Sequence, residues 1–210
     1  MIWILLFAVV SAFGEVRSNL PSPYNTVDIL PFDPQGWYSN QHGIQYLIHK
    51  HEVKTVIEVG SWLGASTRHI AELLPEGGKV YAVDHWLGSI EHQEGGSSYS
   101  PHLPHLYEQF LSNVIHTNLT HKIIPVRMDS LRASAYLSGV KPDLVYIDAG
   151  HDTESVYADL QAWFPFVKGH GILCGDDWFW ETVRIAVRAF AEEQNLEIFY
   201  FNNFWRVKER

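Results

Sequence analysis

The stretch 55-TVIEVGSWLGASTRHIAELL-74 decides the fold. Its β-branched run, Thr55 to Val59, breaks at Gly60, and helical apolar spacing takes over from Ala65. A strand is therefore expected over 55–59 and a helix over 65–74. In the turn between them, Gly60 and Gly64 permit close backbone approach to a ligand, and the helix N-terminus offers free N–H groups. Taken alone, such a turn is equally an ordinary strand-to-helix connection.

Working outward, the same alternation repeats. A helix is expected over 42–52, strands over 79–84, 122–127, 143–148 and 170–175, and helices over 106–115, from Ser130, over 153–164 and over 181–194. The runs 197-EIFYF-201 and 204-FWRVK-208, joined by Asn202-Asn203, read as a closing hairpin. Strands alternating with helices predict an α/β doubly wound sheet, mostly parallel, to which the hairpin adds an antiparallel strand. Residues 20–41, rich in Pro, Asn, Asp and Ser, read as a turn-rich lead-in arm, and 87–105 as a long loop.

A chain of 210 residues, 46% hydrophobic, fits one domain over residues 21–210. The net charge of −9 and the absence of any Lys/Arg run argue against a nucleic-acid partner. The single cysteine, Cys174, lies in an apolar run and cannot form an intramolecular disulfide. Residues 2-IWILLFAVVSA-12 are too short for a membrane span of about 20 residues. They resemble a signal-peptide core, though without the usual basic residues in front. Residues 1–20 are set aside as a leader or anchor, the other reading being a segment packed on the domain.

In open sheets of this kind, ligands bind beyond the carboxyl ends of the strands. The second strand ends in Asp84, about 20 residues past the glycine turn, where a carboxylate can accept from both ribose hydroxyls of a nucleoside. The turn is not G-x-G-x-x-G, which disfavours a nicotinamide cofactor. The fourth strand ends in 146-YIDAGHD-152 and the fifth in 175-GDDW-178. Their Asp148, Asp176 and Asp177 would gather three carboxylates at one rim, a set suited to a hard divalent cation such as magnesium. Adjacent strand residues point to opposite faces, so Asp176 and Asp177 can share an ion only if the strand has already turned. The competing reading has one aspartate capping the next helix and the other solvated.

The motif E-V-G-x-x-x-G-x-S, the acidic end of the second strand, 128-MDS-130 and the terminal hairpin resemble a class I S-adenosylmethionine-dependent methyltransferase over roughly residues 42–208. The resemblance implies a Rossmann-like seven-stranded sheet with a reversed last strand. It implies that Gly60, Ser61 and Gly64, with Glu58 before them, bracket the amino-acid part of the cofactor, and that Ser66 hydrogen-bonds its carboxylate. Asp84 would hold the ribose, Asp129 and Ser130 would edge the adenine, and Asp148 would border the cofactor. Trp86 is counted as stacking on the adenine, against the plainer reading of a buried aromatic.

The carboxylate pattern is similar to that of the divalent-metal-dependent O-methyltransferases of the catechol, caffeoyl-coenzyme A and antibiotic-sugar kinds. That likeness implies a metal on Asp148, Asp176 and Asp177 and a hydroxyl of a small-molecule acceptor. Where some members carry a lysine base, this chain has His151, and a histidine side chain could take the proton. The other histidines read mostly as surface residues, of which His92, His102 and His105 on the long loop could face the acceptor, and no pair shows the spacing of a structural zinc site with cysteines. The cofactor implies a cytoplasmic protein, whereas residues 1–20 leave export or membrane association as the alternative. A second functional reading is a fold relative that binds nucleoside or metal without turnover.

Overall fold

The computed structural model describes residues 19–89, His92 and residues 100–209. Its elements follow as α1 (Gln41–His51), β1 (Thr55–Val59), α2 (Ala65–Leu73), β2 (Lys79–Asp84), α3 (Leu106–His116), β3 (Ile123–Arg127) and α4 (Ser130–Tyr136). They continue as β4 (Leu144–Ile147), α5 (Thr153–Trp163), β5 (Ile172–Gly175), α6 (Glu181–Glu193), β6 (Leu196–Phe201) and β7 (Phe204–Glu209). The seven strands form one sheet in the order β3-β2-β1-β4-β5-β7-β6. Strands β1 to β5 pair in parallel, and β7 runs antiparallel to both β5 and β6. This is the mostly parallel sheet that the alternation predicts, with the seven strands and reversed last strand of the class I methyltransferase fold that the resemblance implies.

The central strands are buried on both faces, which explains why they read as continuous apolar runs. Val56 packs with Ile44, Leu47, Ile70 and Phe110 of α1–α3 on one side. Its neighbour Ile57 packs with Leu160, Trp163, Val187 and Phe190 of α5 and α6 on the other. The strand order reverses between β1 and β4, which are hydrogen-bonded neighbours, and a crevice opens at that switch point.

Several expected boundaries shrink by one or two residues at the strand ends, β4 to 144–147 and β5 to 172–175. The lead-in arm contains a single 3₁₀ turn, Tyr24–Thr26, yet it is tightly held. The buried Tyr24 donates to the Ile123 carbonyl at 3.0 Å. The Asn113 side chain accepts from Asp33 N at 2.9 Å and donates to the carbonyls of Asp33 and Leu63. The arm is thereby strapped across α3 toward the glycine turn. The expected loop 87–105 ends in a 3₁₀ segment, Ser100–His105. The leader expected within residues 1–20 falls outside the described residues except for Asn19 and Leu20. Among the described residues, no helix is long and apolar enough to cross a membrane.

One buried polar tie joins α4 to α5. The Ser130 hydroxyl donates to Asp159 and accepts from Trp163 Nε1 at 2.8 Å. Burial pushes the Asp159 carboxyl up to about 6, with Asp152 adding to the rise and the Ser130 hydroxyl opposing it. The folded chain therefore keeps a proton that the unfolded chain has already lost above pH ~4, so this group's contribution to stability falls as pH rises from ~4 through ~6. The full shift corresponds to a destabilisation on the order of 3 kcal/mol. Asp159→Asn can still accept from Ser130. Its melting temperature relative to the wild type is expected to climb by several degrees between pH 4 and pH 7. A difference independent of pH would show that Asp159 is not charged at a cost.

Candidate active site

A cavity of about 1160 Å³ lies across the carboxyl ends of β1, β2, β4 and β5. Single-ligand pockets run from about 300 to 1,000 Å³, so there is room for a cofactor and an acceptor together. The cavity has two chemically distinct ends.

At the first end, β1 stops at Gly60, whose φ is +93°. A Cβ on Gly60 would lie 1.8 Å from the Asp148 carbonyl oxygen, so no other residue can bring β1 and β4 this close. Asp84 closes the turn from β2. Its Oδ2 accepts from Ser61 N at 3.1 Å and Trp62 N at 2.9 Å, and its Oδ1 accepts from Trp86 N at 2.6 Å. A carboxylate has about four acceptor directions, so a ribose diol placed here would share the oxygens with these amides. Beneath the turn, Glu58 is fully buried. Its Oε2 accepts from Ser61 Oγ at 2.8 Å and from the Thr67 hydroxyl, and its Oε1 has no hydrogen-bond partner. Burial pushes the Glu58 carboxyl up, opposed by the hydroxyls of Ser66, Thr67 and Ser61 and reinforced by Asp84. The orphaned Oε1 suits a donor such as an ammonium group.

Of the residues expected to bind a cofactor, Gly60, Ser61, Ser66, Asp84, Asp129, Ser130 and Asp148 line the cavity. Gly64 instead shapes the turn as the left-handed N-cap of α2, and Glu58 lies behind it. The expectation for Trp86 is corrected. It is 2% exposed, donates from Nε1 to the Trp62 carbonyl at 2.7 Å, and spends its ring on Tyr107 and Phe110, leaving no face for an adenine. Asp129 caps α4 by accepting from Arg132 N at 3.0 Å. The Ser130 hydroxyl is held by Asp159 and Trp163 as described above.

At the second end, Asp148 follows β4 and Asp176 and Asp177 follow β5. The strand has already turned: Asp177 adopts a left-handed φ of +64°. Neither aspartate caps α6, whose N-cap is Trp180 without a side-chain bond. Asp176 is buried and accepts from Asp177 N at 2.7 Å, Asn203 Nδ2 at 2.6 Å and Tyr146 OH at 3.3 Å. Burial and the adjacent Asp177 charge push the Asp176 carboxyl up to about 6, against the hydrogen bonds it accepts. Burial, then Asp176, Asp177 and Glu58, push Asp148 well above the usual carboxylate range. His151 Nε2 lies 3.0 Å from Asp177 Oδ2, and the imidazole stacks on Trp180 at 4.9 Å. The His151 carbonyl accepts from the Thr182 hydroxyl, which pins the loop after β4 to the start of α6.

In kind, three hard carboxylates, none paired with Lys or Arg among the described residues, fit a divalent cation. In placement, no three His, Cys, Asp or Glu side chains among the described residues are gathered closely enough to coordinate one. Asp177 is turned toward His151, and Asp176 toward Asn203.

The sequence reading missed several walls of the cavity. Trp37, Tyr38, Trp62, Trp180 and Asn203 all line it. His92 does face it, stacked on Trp62 at 4.6 Å. His102 pairs instead with Asp33 Oδ2 at 3.5 Å, and His105 precedes α3 outside the cavity. The high tryptophan content, eight in 210 residues, is the sequence signal for an aromatic-walled pocket.

The sequence profile of the methyltransferase domain family matches residues 57–178. The fold is similar to that of the O-methyltransferase from Bacillus cereus in complex with SAH, at 16% identity and TM-score 0.58, covering 95% of this chain and 88% of that one. It is similar also to cofactor-bound Rv0187 from MTB, at 16% identity and TM-score 0.60, covering 97% and 90%. A third likeness is to the O-methyltransferase TomG from Streptomyces achromogenes, involved in tomaymycin synthesis and in complex with SAM, at 13% identity and TM-score 0.57, covering 85% and 82%. At these identities the likeness is one of fold. The matched profile spans the glycine turn, the β2 aspartate and both carboxylate-bearing strand ends, and the chain belongs to the methyltransferase domain family.

Proposed function

We propose that this chain is an S-adenosylmethionine-dependent O-methyltransferase acting on a hydroxyl of a small-molecule acceptor, assisted by a divalent cation such as magnesium. The observation that carries the reading is the joining of two ends in one cavity: a glycine turn closed by Asp84, and a carboxylate cluster with His151. In the solved relatives above, SAH or SAM is bound to the same fold.

When bound, the cofactor would supply a methyl carbon on a sulfonium sulfur, and a cation would lower the pKa of the acceptor hydroxyl. The chain's own residues orient and neutralise. Ser61 and Ser66 would face the amino-acid part of the cofactor above the buried Glu58, and Asp84 would hold the ribose. Asp129 and Ser130 would border the adenine. Asp148, Asp176 and Asp177 would hold the cation. His151 would accept the hydroxyl proton, with the Asp177 carboxylate at 3.0 Å stabilising the imidazolium that forms. Alignment of acceptor oxygen and methyl carbon supplies much of the remaining rate.

The net charge of −9 supports a small acceptor over a nucleic acid. A cytoplasmic location follows from the cofactor, with export or membrane association through residues 1–20 as the alternative. The non-catalytic alternative draws no support from a cavity equipped with both ends.

Titration calorimetry of S-adenosylmethionine into the full chain tests the cofactor half. Micromolar binding is expected, weakened at least tenfold in Asp84→Ala with the melting temperature followed as a control. No binding with magnesium or with chelator would overturn the reading. For the chemical half, His151→Asn is expected to lower kcat by about 10²-fold or more while the dissociation constant for S-adenosylmethionine stays within twofold. An unchanged kcat would remove His151 from proton transfer.

A further inference from the structure

Among the described residues, the last strand of the sheet, β6, pairs with β7 alone, so its outer edge faces away from the sheet. Which backbone groups lie on that edge follows from the hairpin. The two-residue turn Asn202-Asn203 is closed by Phe201 opposite Phe204, and a turn of that length is closed by a hydrogen-bonded pair. Alternation then commits the N–H and C=O groups of Phe201, Phe199 and Glu197 to β7 and turns those of Tyr200, Ile198 and Leu196 outward. Edge strands are ordinarily blunted by a lysine, a proline or a bulge. β6 reads LEIFYF, contains neither residue, and pairs with β7 along its whole length without a bulge. Its tip carries Phe199, Tyr200 and Phe201 at 42%, 63% and 73% exposure.

We infer that β6 is the docking edge for a second copy of this chain, the two β6 strands pairing antiparallel about a two-fold axis centred on Ile198. An axis normal to the sheet keeps every side chain on its own face. Centred on Ile198, it sets Ile198 opposite its own copy and Leu196 opposite Tyr200, so each outward N–H and C=O of these residues meets a partner. A centre at Phe199 would leave the outward groups of Leu196 opposite the turn, and one at Glu197 would set two carboxylates face to face. Charge selects the same register. Glu197 is the one charged residue of β6, and it comes to stand opposite Phe199 of the second copy, over whose ring Arg206 lies at 4.9 Å. Each carboxylate thereby meets a guanidinium, twice in the dimer. On the other face, Leu196 and Ile198, which pack on the α5–α6 core, continue that core across the seam. An unrelated strand would have to reproduce this pattern, whereas a second copy supplies it by symmetry. The assembly does not depend on the methyl-transfer reading, although the hairpin it braces carries Asn203 into the cavity.

Analytical ultracentrifugation of the full chain from roughly 1 to 100 µM follows the assembly, and residue-resolved amide hydrogen exchange over the same range follows the strand. A dimer is expected. As it forms, the amides of Ile198 and Tyr200 should slow about tenfold or more, while those of Phe199 and Phe201, already bonded to β7, stay unchanged. Ile198→Pro removes an outward donor and no bond to β7, and is expected to remain monomeric over the whole range. Ile198→Val, which keeps that donor, should dimerise as the wild type does. Should Ile198→Pro not fold, Glu197→Arg, which sets two cations together at each end of the seam, is expected to weaken the dimer about tenfold. A wild-type chain that stays monomeric at about 100 µM would overturn the inference. So would a dimer in which Ile198 and Tyr200 exchange as fast as in the dilute monomer, because another face would then hold the two copies.

Discussion

The approach of β1 to β4 at Gly60 is the constraint on which the site depends. With the Asp148 carbonyl where a Cβ of residue 60 would stand, the two central strands end side by side. Asp148 N donates to the Val59 carbonyl at 2.7 Å, so the register is fixed up to the last residue before the chains diverge. One strand then turns into the glycine loop and α2, and the other into the loop that carries His151. The crevice is the space between those departures. A side chain at residue 60 would push them apart and separate the nucleoside end of the cavity from the carboxylate end.

Such a crevice concentrates negative charge. Glu58, Asp84, Asp148, Asp176 and Asp177 all stand at or beneath the same rim, and burial raises the first, third and fourth of them. The cost of burying carboxylates is offset locally by donors rather than by basic residues: hydroxyls at Glu58, backbone amides at Asp84, and Asn203 with Tyr146 at Asp176. Donor bonds stabilise an anion without cancelling its field. The rim keeps a negative potential that favours a sulfonium, an ammonium and a divalent cation, while repelling anionic partners.

How far this was legible in the sequence depends on the range of the interaction. The strands and helices were readable because burial on both faces leaves continuous β-branched runs, and amphipathic helices leave a 3.6-residue period. The glycine turn, Asp84 and the Asp176–Asp177 pair were readable because strand ends are local features and the fold places them at one edge. Trp86 was misplaced because its neighbours, Tyr107 and Phe110, lie in a helix beyond a long loop, and nothing near Trp86 in sequence reports that they cover its ring. Asn203 was read only as a turn residue, since its partners are 26 and 27 positions away. The aromatic arm residues Trp37 and Tyr38 were taken as part of an irregular lead-in, because the strap that positions them runs through Ser112 and Asn113 of α3.

That division of legibility follows the division of chemistry in the cavity. The nucleoside end is assembled from consecutive strand–turn–helix units, so its geometry is encoded within about thirty residues and is bound to the sheet itself. The carboxylate end draws on the lead-in arm, His92 and the terminal hairpin, which meet only in the folded chain. Irregular segments tolerate substitution more readily than the strands beneath them. The carboxylate end can therefore change its walls without disturbing the turn at Gly60. The restraint on Asp176 comes from Asn203 on one side and from Tyr146, a residue of the buried sheet, on the other. Holding the carboxylates partly from the sheet separates the fixed floor of the cavity from the walls that can vary.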